Sequence, residues 1–138
     1  MIAVPASRTV DQECEPVLAL EHPALRALFG RWRAHRGQRA MPSEADLLFF
    51  NLKPWLGRVR RVAVVGGGRA FELLPCANAR AELPAEGLSV AYRQATFGAT
   101  PARALPAPGL EGLVLPFAGD HHGVSLLLVA VYDNAARR

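Results

Sequence analysis

The chain has 138 residues, of which 51% are hydrophobic and 20% charged, and a net charge of +4. These values fit one globular domain with a single core and exclude a disordered chain, whose low hydrophobicity and high charge prevent collapse. The longest apolar run, residues 124–132 interrupted only by Ser125, falls well short of the ~20 residues that a membrane-spanning helix needs, and residues 1–15 lack the basic start and apolar stretch of a signal peptide, so a cytoplasmic protein is expected.

In chain order, residues 1–21 show neither helical nor strand periodicity and contain Pro5 and Pro16, so they read as a tail whose last part, residues 17–20, can dock. The domain proper is expected over 22–134, with 135–138 as a second tail. Leu25, Leu28, Phe29 and Trp32 fall at i, i+3, i+4 and i+7 behind Pro23, the pattern of an amphipathic helix with proline tolerated in its first turn and Gly37 as its stop. Trp32 and Phe29 read as core residues of that helix rather than as a cofactor stack. Ser43 and Asp46 have the spacing of a capping box before the apolar run 47–50, and Pro54 ends that segment in the turn Pro54-Trp55-Leu56-Gly57.

Strand patterns follow. Residues 62–65 are β-branched or small, Gly66, Gly67 and Gly68 can supply a tight turn, and residues 69–73 alternate, so a β-hairpin is expected. A phosphate-binding loop at these glycines is rejected, because such a loop leads directly into a helix and Pro75 ends the segment too soon. Residues 76–83 can form one or two helical turns, 84–87 a loop, 91–100 a strand containing Tyr92, Thr96 and Phe97, and 101–109 a proline-rich connection. Residues 113–117 and 124–132 are two apolar strands joined by a turn containing His121 and His122. Their continuous hydrophobicity implies central strands covered on both faces, and Pro116 implies a bulge or a nearby edge.

Chemistry is sparse. Cys14 and Cys76 belong to no metal-ligand spacing and give weak grounds for a disulfide. His121 and His122 are adjacent at a turn, with no further ligand spaced to complete a metal or haem site. Ser43, Ser89 and Ser125 lack a nucleophile-elbow setting. The charge is uneven: between residues 26 and 61, Arg26, Arg31, Arg33, Arg36, Arg39, Lys53, Arg58, Arg60 and Arg61 face only Glu44 and Asp46. Such a cluster attracts nucleic acid, an anionic nucleotide or an acidic partner.

The order of these features resembles a stand-alone bacterial PAS-domain family. The resemblance rests on Trp32, on Pro42 and Asp46 ahead of the apolar run, on Leu52-Lys53-Pro54-Trp55-Leu56-Gly57-Arg58-Val59 entering the first strand, and on Leu115-Pro116-Phe117-Ala118 with Gly123-Val124 in the last hairpin. It covers residues 25–133 and implies an α+β fold, a PAS-like five-stranded antiparallel sheet with N-terminal helices and a short helical crossover. The Arg-Leu-x-Gly-Thr element usual at the end of the family's second strand is replaced by Phe71-Glu72-Leu73-Leu74-Pro75-Cys76. With only about fifteen residues before the next expected strand, the helical lid over a small-molecule pocket is expected to be truncated. Pro75-Cys76-Ala77-Asn78 also lacks the flavin-bonding pattern of light-sensing relatives, so no cofactor is expected. The resemblance implies a non-enzymatic sensory or protein-interaction module acting by dimerisation or partner docking, with Trp32, Trp55, Arg58, Phe71, Leu73, Tyr92 and Phe97 as candidate interaction or pocket residues. A basic adaptor for nucleic acid or an anionic nucleotide is the alternative.

Overall fold

The computed structural model describes residues 18–75, 85–120 and 123–134. Its order is helix α1 (Pro23–Arg36), two 3-10 turns (Glu44–Phe49 and Lys53–Trp55), strands β1 (Val59–Val65) and β2 (Ala70–Leu73), helix α2 (Ala85–Gly98), then strands β3 (Ala102–Ala104), β4 (Leu110–Ala118) and β5 (Val124–Asp133). The strands form one five-stranded sheet in the order β2-β1-β5-β4-β3, antiparallel at every pairing. The fold is therefore α+β. Among the described residues, no helix is long and apolar enough to cross a membrane.

Side chains of β4 and β5 alternate between two apolar layers. On one face Leu113, Leu115, Phe117, Leu126, Leu128 and Ala130 pack with Leu25, Leu28 and Trp32 of α1 and with Trp55. On the other, Val62, Val114, Leu127 and Val129 pack with Leu88, Ala91, Tyr92 and Ala95 of α2. Coverage on both faces explains why β4 and β5 read as unbroken apolar runs. Leu18 and Leu20 join the first layer, so the segment ahead of α1 docks as its sequence allows; Val17 lies outside the described residues.

The α1 boundaries follow their sequence signals. Pro23 opens the helix, the His22 side chain accepts from the Ala24 backbone N–H, and Gly37 closes it at φ +60°, a left-handed value that suits glycine. Arg33, His35 and Arg36 occupy the last turn, where positive charge suits the helix dipole. The β1–β2 hairpin forms with Gly66, Gly67 and Gly68 all at positive φ.

The crossover departs from expectation. Residues 91–97 are helical, and the third strand is the short Ala102–Ala104 within the stretch read as a connection. Leu88, Ala91, Tyr92 and Ala95 recur at i, i+3, i+4 and i+7, and these are the positions that bury. Assigning residues 84–87 to a loop hides that period by removing its start. Gly87 is helical, and a Cβ there would lie 2.5 Å from the Pro106 backbone, so this glycine permits α2 to close on the β3–β4 connection. The helix ends at Gly98, followed by Ala99 at φ +50° just ahead of Pro101. A fourteen-residue helix thus occupies the crossover that was expected to be short.

Pro116 sits where a missing N–H costs no ladder bond. The β3 pairing of β4 ends at Val114, a register shift follows between Phe117 and Ala118, and the Pro116 carbonyl accepts from Trp32 Nε1 at 2.9 Å. Beyond it, Ala118 N–H donates to the Pro42 carbonyl at 2.9 Å, and Ser43 bridges Ala118 in parallel. The 42–43 segment takes over the edge that β3 leaves.

Candidate interaction surfaces

The seven candidate residues do not form one site, because the sheet divides them. Trp32, Trp55 and Arg58 belong to the α1 side, whereas Phe71, Leu73, Tyr92 and Phe97 belong to the α2 side. Trp32 and Trp55 are buried and their indole N–H groups are used, Trp32 on Pro116 and Trp55 on the Ala24 carbonyl at 2.7 Å. Both tryptophans hold α1 and its following turn to the sheet. Arg58 lies over the ring of Tyr132, 5.6 Å from its centroid, and Tyr132 meets the His22 ring at 4.5 Å. Burial pushes the Tyr132 hydroxyl pKa up, with Arg58 opposing.

On the opposite face, Phe71 and Tyr92 meet with ring centroids 5.5 Å apart. Burial raises the Tyr92 hydroxyl pKa, against the pull of Arg60, whose guanidinium donates to the Leu74 carbonyl at 3.1 Å. Leu73 is 43% exposed at the β2 edge and Phe97 is 64% exposed. Phe97 leans on the hairpin turn, since a Cβ on Gly68 would fall 2.8 Å from its ring. Residues 76–84, which the pocket question concerns, lie outside the described residues, as do Cys14, His121 and His122.

Several members of the basic cluster make individual contacts within the chain. Arg31 lies over Trp55, Arg33 over Phe29 and Arg36 over Trp32, at 5.4 to 5.6 Å. Arg39 pairs with Asp46 at 2.8 Å, and Arg26 donates to the Leu20 carbonyl. The guanidinium heads themselves lie over these rings, and the Nε of Arg36 is buried. Among the described residues, no group of three or more His, Cys, Asp or Glu side chains could hold a metal ion.

Among the described residues, the most exposed large apolar side chains are Leu48 and Phe49, at 84% and 75%. They project from the 3-10 turn Glu44–Phe49, whose capping box is complete: the Ser43 side chain accepts from Asp46 N–H while the Asp46 carboxylate accepts from Ser43 N–H. That backbone bond from Ser43, together with Arg39 and against some desolvation, lowers the Asp46 pKa. Only Phe50, the residue after the turn, is buried, stacked on His35 and edge-on to Phe117. Leu48 also forms one wall of an open depression of about 420 Å³, which Glu44, Leu47, Leu52, Arg61 and Leu126 line with it. Glu44 also accepts from the Ser125 hydroxyl. Arg61 and Val65 continue this face along β1 as exposed residues.

Glu111 is the functional-looking residue that sequence reading passed over, and its role is structural. It is 0% exposed within β4. Its carboxylate accepts from the Glu21 and His22 backbone N–H groups at 2.8 Å each, from Arg103 Nε at 2.7 Å and from Asn134 Nδ2 at 3.2 Å. Burial alone would raise its pKa, but these donors outweigh burial and lower it to about 2. The signal was a lone acid opening an otherwise apolar strand, a residue type almost never buried unless paired. Compared with known proteins, the chain matches no family model, no curated protein and no solved structure.

Proposed function

We propose that the chain is a PAS-like protein-interaction module that works by contact rather than catalysis and self-associates through the surface around Leu48 and Phe49. Its helix, turn, hairpin, helical crossover and three closing strands follow the element order on which the PAS resemblance rests, which supports the first part of this reading. The observation that carries the second part is the exposure of two adjacent large apolar side chains on a capped turn. A flexible loop would fold such residues back; this turn is fixed outward by the Ser43–Asp46 box and the Arg39–Asp46 pair.

A second copy is the occupant the surface fits. The patch carries a projecting Phe49 beside a recess walled in part by Leu48, and the recess is rimmed by one acid and one base, Glu44 and Arg61. A two-fold contact needs both halves of such a match on one surface: each copy's Phe49 enters the other's recess against its Leu48, and Glu44 faces the opposing Arg61. Sedimentation equilibrium over a range of concentrations tests this. The natural chain should sediment as a dimer and the double variant L48D/F49D as a monomer with unchanged thermal unfolding, since both residues are exposed. A natural chain that stays monomeric at high micromolar concentration, or an unaffected dimer in the variant, overturns the reading.

A further inference from the structure

The Glu111 carboxylate ties the start of α1 to the end of β5, and each of its oxygens is shared. Oε1 accepts from the His22 N–H at 2.8 Å and from Asn134 Nδ2 at 3.2 Å, while Oε2 accepts from the Glu21 N–H at 2.8 Å and from Arg103 Nε at 2.7 Å. His22 is the N-cap of α1, and Asn134 directly follows Asp133, the last residue of β5. A second link runs beside the first, since Tyr132, the cross-strand partner of Glu111, meets the His22 ring at 4.5 Å.

Asn134 is the informative residue. Its bond to Glu111 is the longest of the four, and its Oδ1 is buried with no hydrogen-bond partner among the described residues. A buried acceptor without a donor carries a desolvation cost comparable to the worth of a hydrogen bond, so the joined state gains little from this side chain. Swung into water, Asn134 would hydrate both of its polar atoms. Its main chain can stay in place meanwhile, because the Asn134 N–H donates to the Gly109 carbonyl at 2.8 Å. Glu111, by contrast, is fully buried within β4, and Arg103 beside it also pairs with Glu21 at 3.2 Å. Of the side chains at this junction, Asn134 is the one placed to leave.

We infer that Asn134 and the α1 entrance form a coupled switch, in which departure of the Asn134 side chain from Glu111 loosens the Glu21–His22 attachment and loosening of that attachment releases Asn134. With Asn134 gone, Oε1 keeps the His22 N–H alone and the carboxylate is free to turn about its last torsion, which shifts the acceptors that both entrance amides use. The coupling runs both ways, as linkage between two equilibria requires. The opening is local: parts of a domain open at lower free energy than the whole, and the β4–β5 ladder continues from Glu111 to Ala118 away from this corner. The end of β5 and the start of α1 thereby respond together to a contact on either, and the switch does not depend on self-association through Leu48 and Phe49.

Hydrogen exchange of the full chain at pH 7, read amide by amide, tests this. In the natural chain the Glu21 and His22 amides should exchange through one shared opening, with similar protection that is lower than that of the hydrogen-bonded amides at the centre of β4 and β5. N134D sets a second carboxylate against Glu111. It should speed exchange at Glu21 and His22 by about tenfold or more relative to the central sheet amides, a shift of about 1.4 kcal/mol in the opening equilibrium. N134A removes the donor without adding charge and should speed the same two amides several-fold; it carries the test alone if N134D does not fold. Protection at Glu21 and His22 equal to that of the sheet in the natural chain overturns the proposal. So do unchanged rates at both amides in the variants, or an equal acceleration at every amide, which would make Asn134 a contributor to global stability and nothing more.

Discussion

The two edges of the sheet are built to different standards. At the β3–β4 edge, residues 111–117 of β4 are all buried and Glu111 gathers four donors from three places in the chain. At the β1–β2 edge, three of the four β2 residues are exposed and β1 has only Val59 and Val62 fully buried. The closed edge anchors α1, since two of the four donors to Glu111 are the backbone N–H groups of Glu21 and His22 at the helix entrance. The open edge leaves apolar surface for contact. The Leu48–Phe49 turn lies on neither edge strand: its entry is tied to β4 through the Ser43–Ala118 bridge, and its recess is lined by Arg61 of β1 and Leu126 of β5.

The largest expected effect falls on the closed edge. Glu111→Gln keeps the side-chain shape but removes the charge, leaving the Arg103 guanidinium with only the exposed Glu21 carboxylate at 3.2 Å and main-chain donors facing an amide. Removing one member of a buried ion pair costs about 3 kcal/mol or more, which urea denaturation would show directly. The same residue predicts a pH dependence. Its folded pKa of about 2 lies below the reference 4.5, so its contribution is complete above pH 4.5 and is lost as pH falls toward about 2, amounting to roughly 3 kcal/mol. Glu111→Gln should flatten that part of the stability curve. An unchanged slope would show that Glu111 is not the clamp, and the contrast between the edges would lose its main support.

Next in size is Trp32→Phe. The ring that fills the space between α1 and β4 is largely kept, but the Pro116 carbonyl loses its 2.9 Å donor. An unsatisfied buried acceptor costs about 1–3 kcal/mol, so the variant should be about 2 kcal/mol less stable by the same urea measurement. A loss below about 0.5 kcal/mol would mean that shape, rather than the hydrogen bond past the end of β3, holds the helix here.

These two residues also show what a sequence can and cannot display. Trp32 was legible because Leu25, Leu28 and Phe29 share its helical period, and Pro116 was legible as a break in a strand ladder. The β1–β2 hairpin and the capping box were equally readable, since each rests on neighbours only a few residues apart. Glu111 was not, because its partners lie 8 to 90 residues away and no local pattern encodes them. The α2 helix was missed for a different reason: Tyr92, Thr96 and Phe97 carry strand propensity, and contact with Val114, Leu127 and Val129 overrides it. The exposure of Leu48 and Phe49 was also hidden, because an apolar run of four reads as core until a 3-10 turn rotates two of its members outward.

The smallest expected effect concerns that turn. Ser43→Ala removes the side-chain acceptor of the capping box while the Asp46 carboxylate keeps the Ser43 N–H and Arg39. Loss of an N-cap costs about 1 kcal/mol, but the segment can open without disturbing the sheet, so the global value from urea should move by less than that. Hydrogen exchange separates the two. The amides of Asp46 and Phe50, which bond to Ser43 and Leu47 carbonyls at 3.0 and 3.1 Å, should exchange several-fold faster, while amides of β4 and β5 keep their protection. If the turn is the rigid mount for the dimer contact, the same variant should weaken self-association without touching an apolar residue. Faster exchange with an unchanged dimer would detach the mount from the contact and leave exposure alone to explain it.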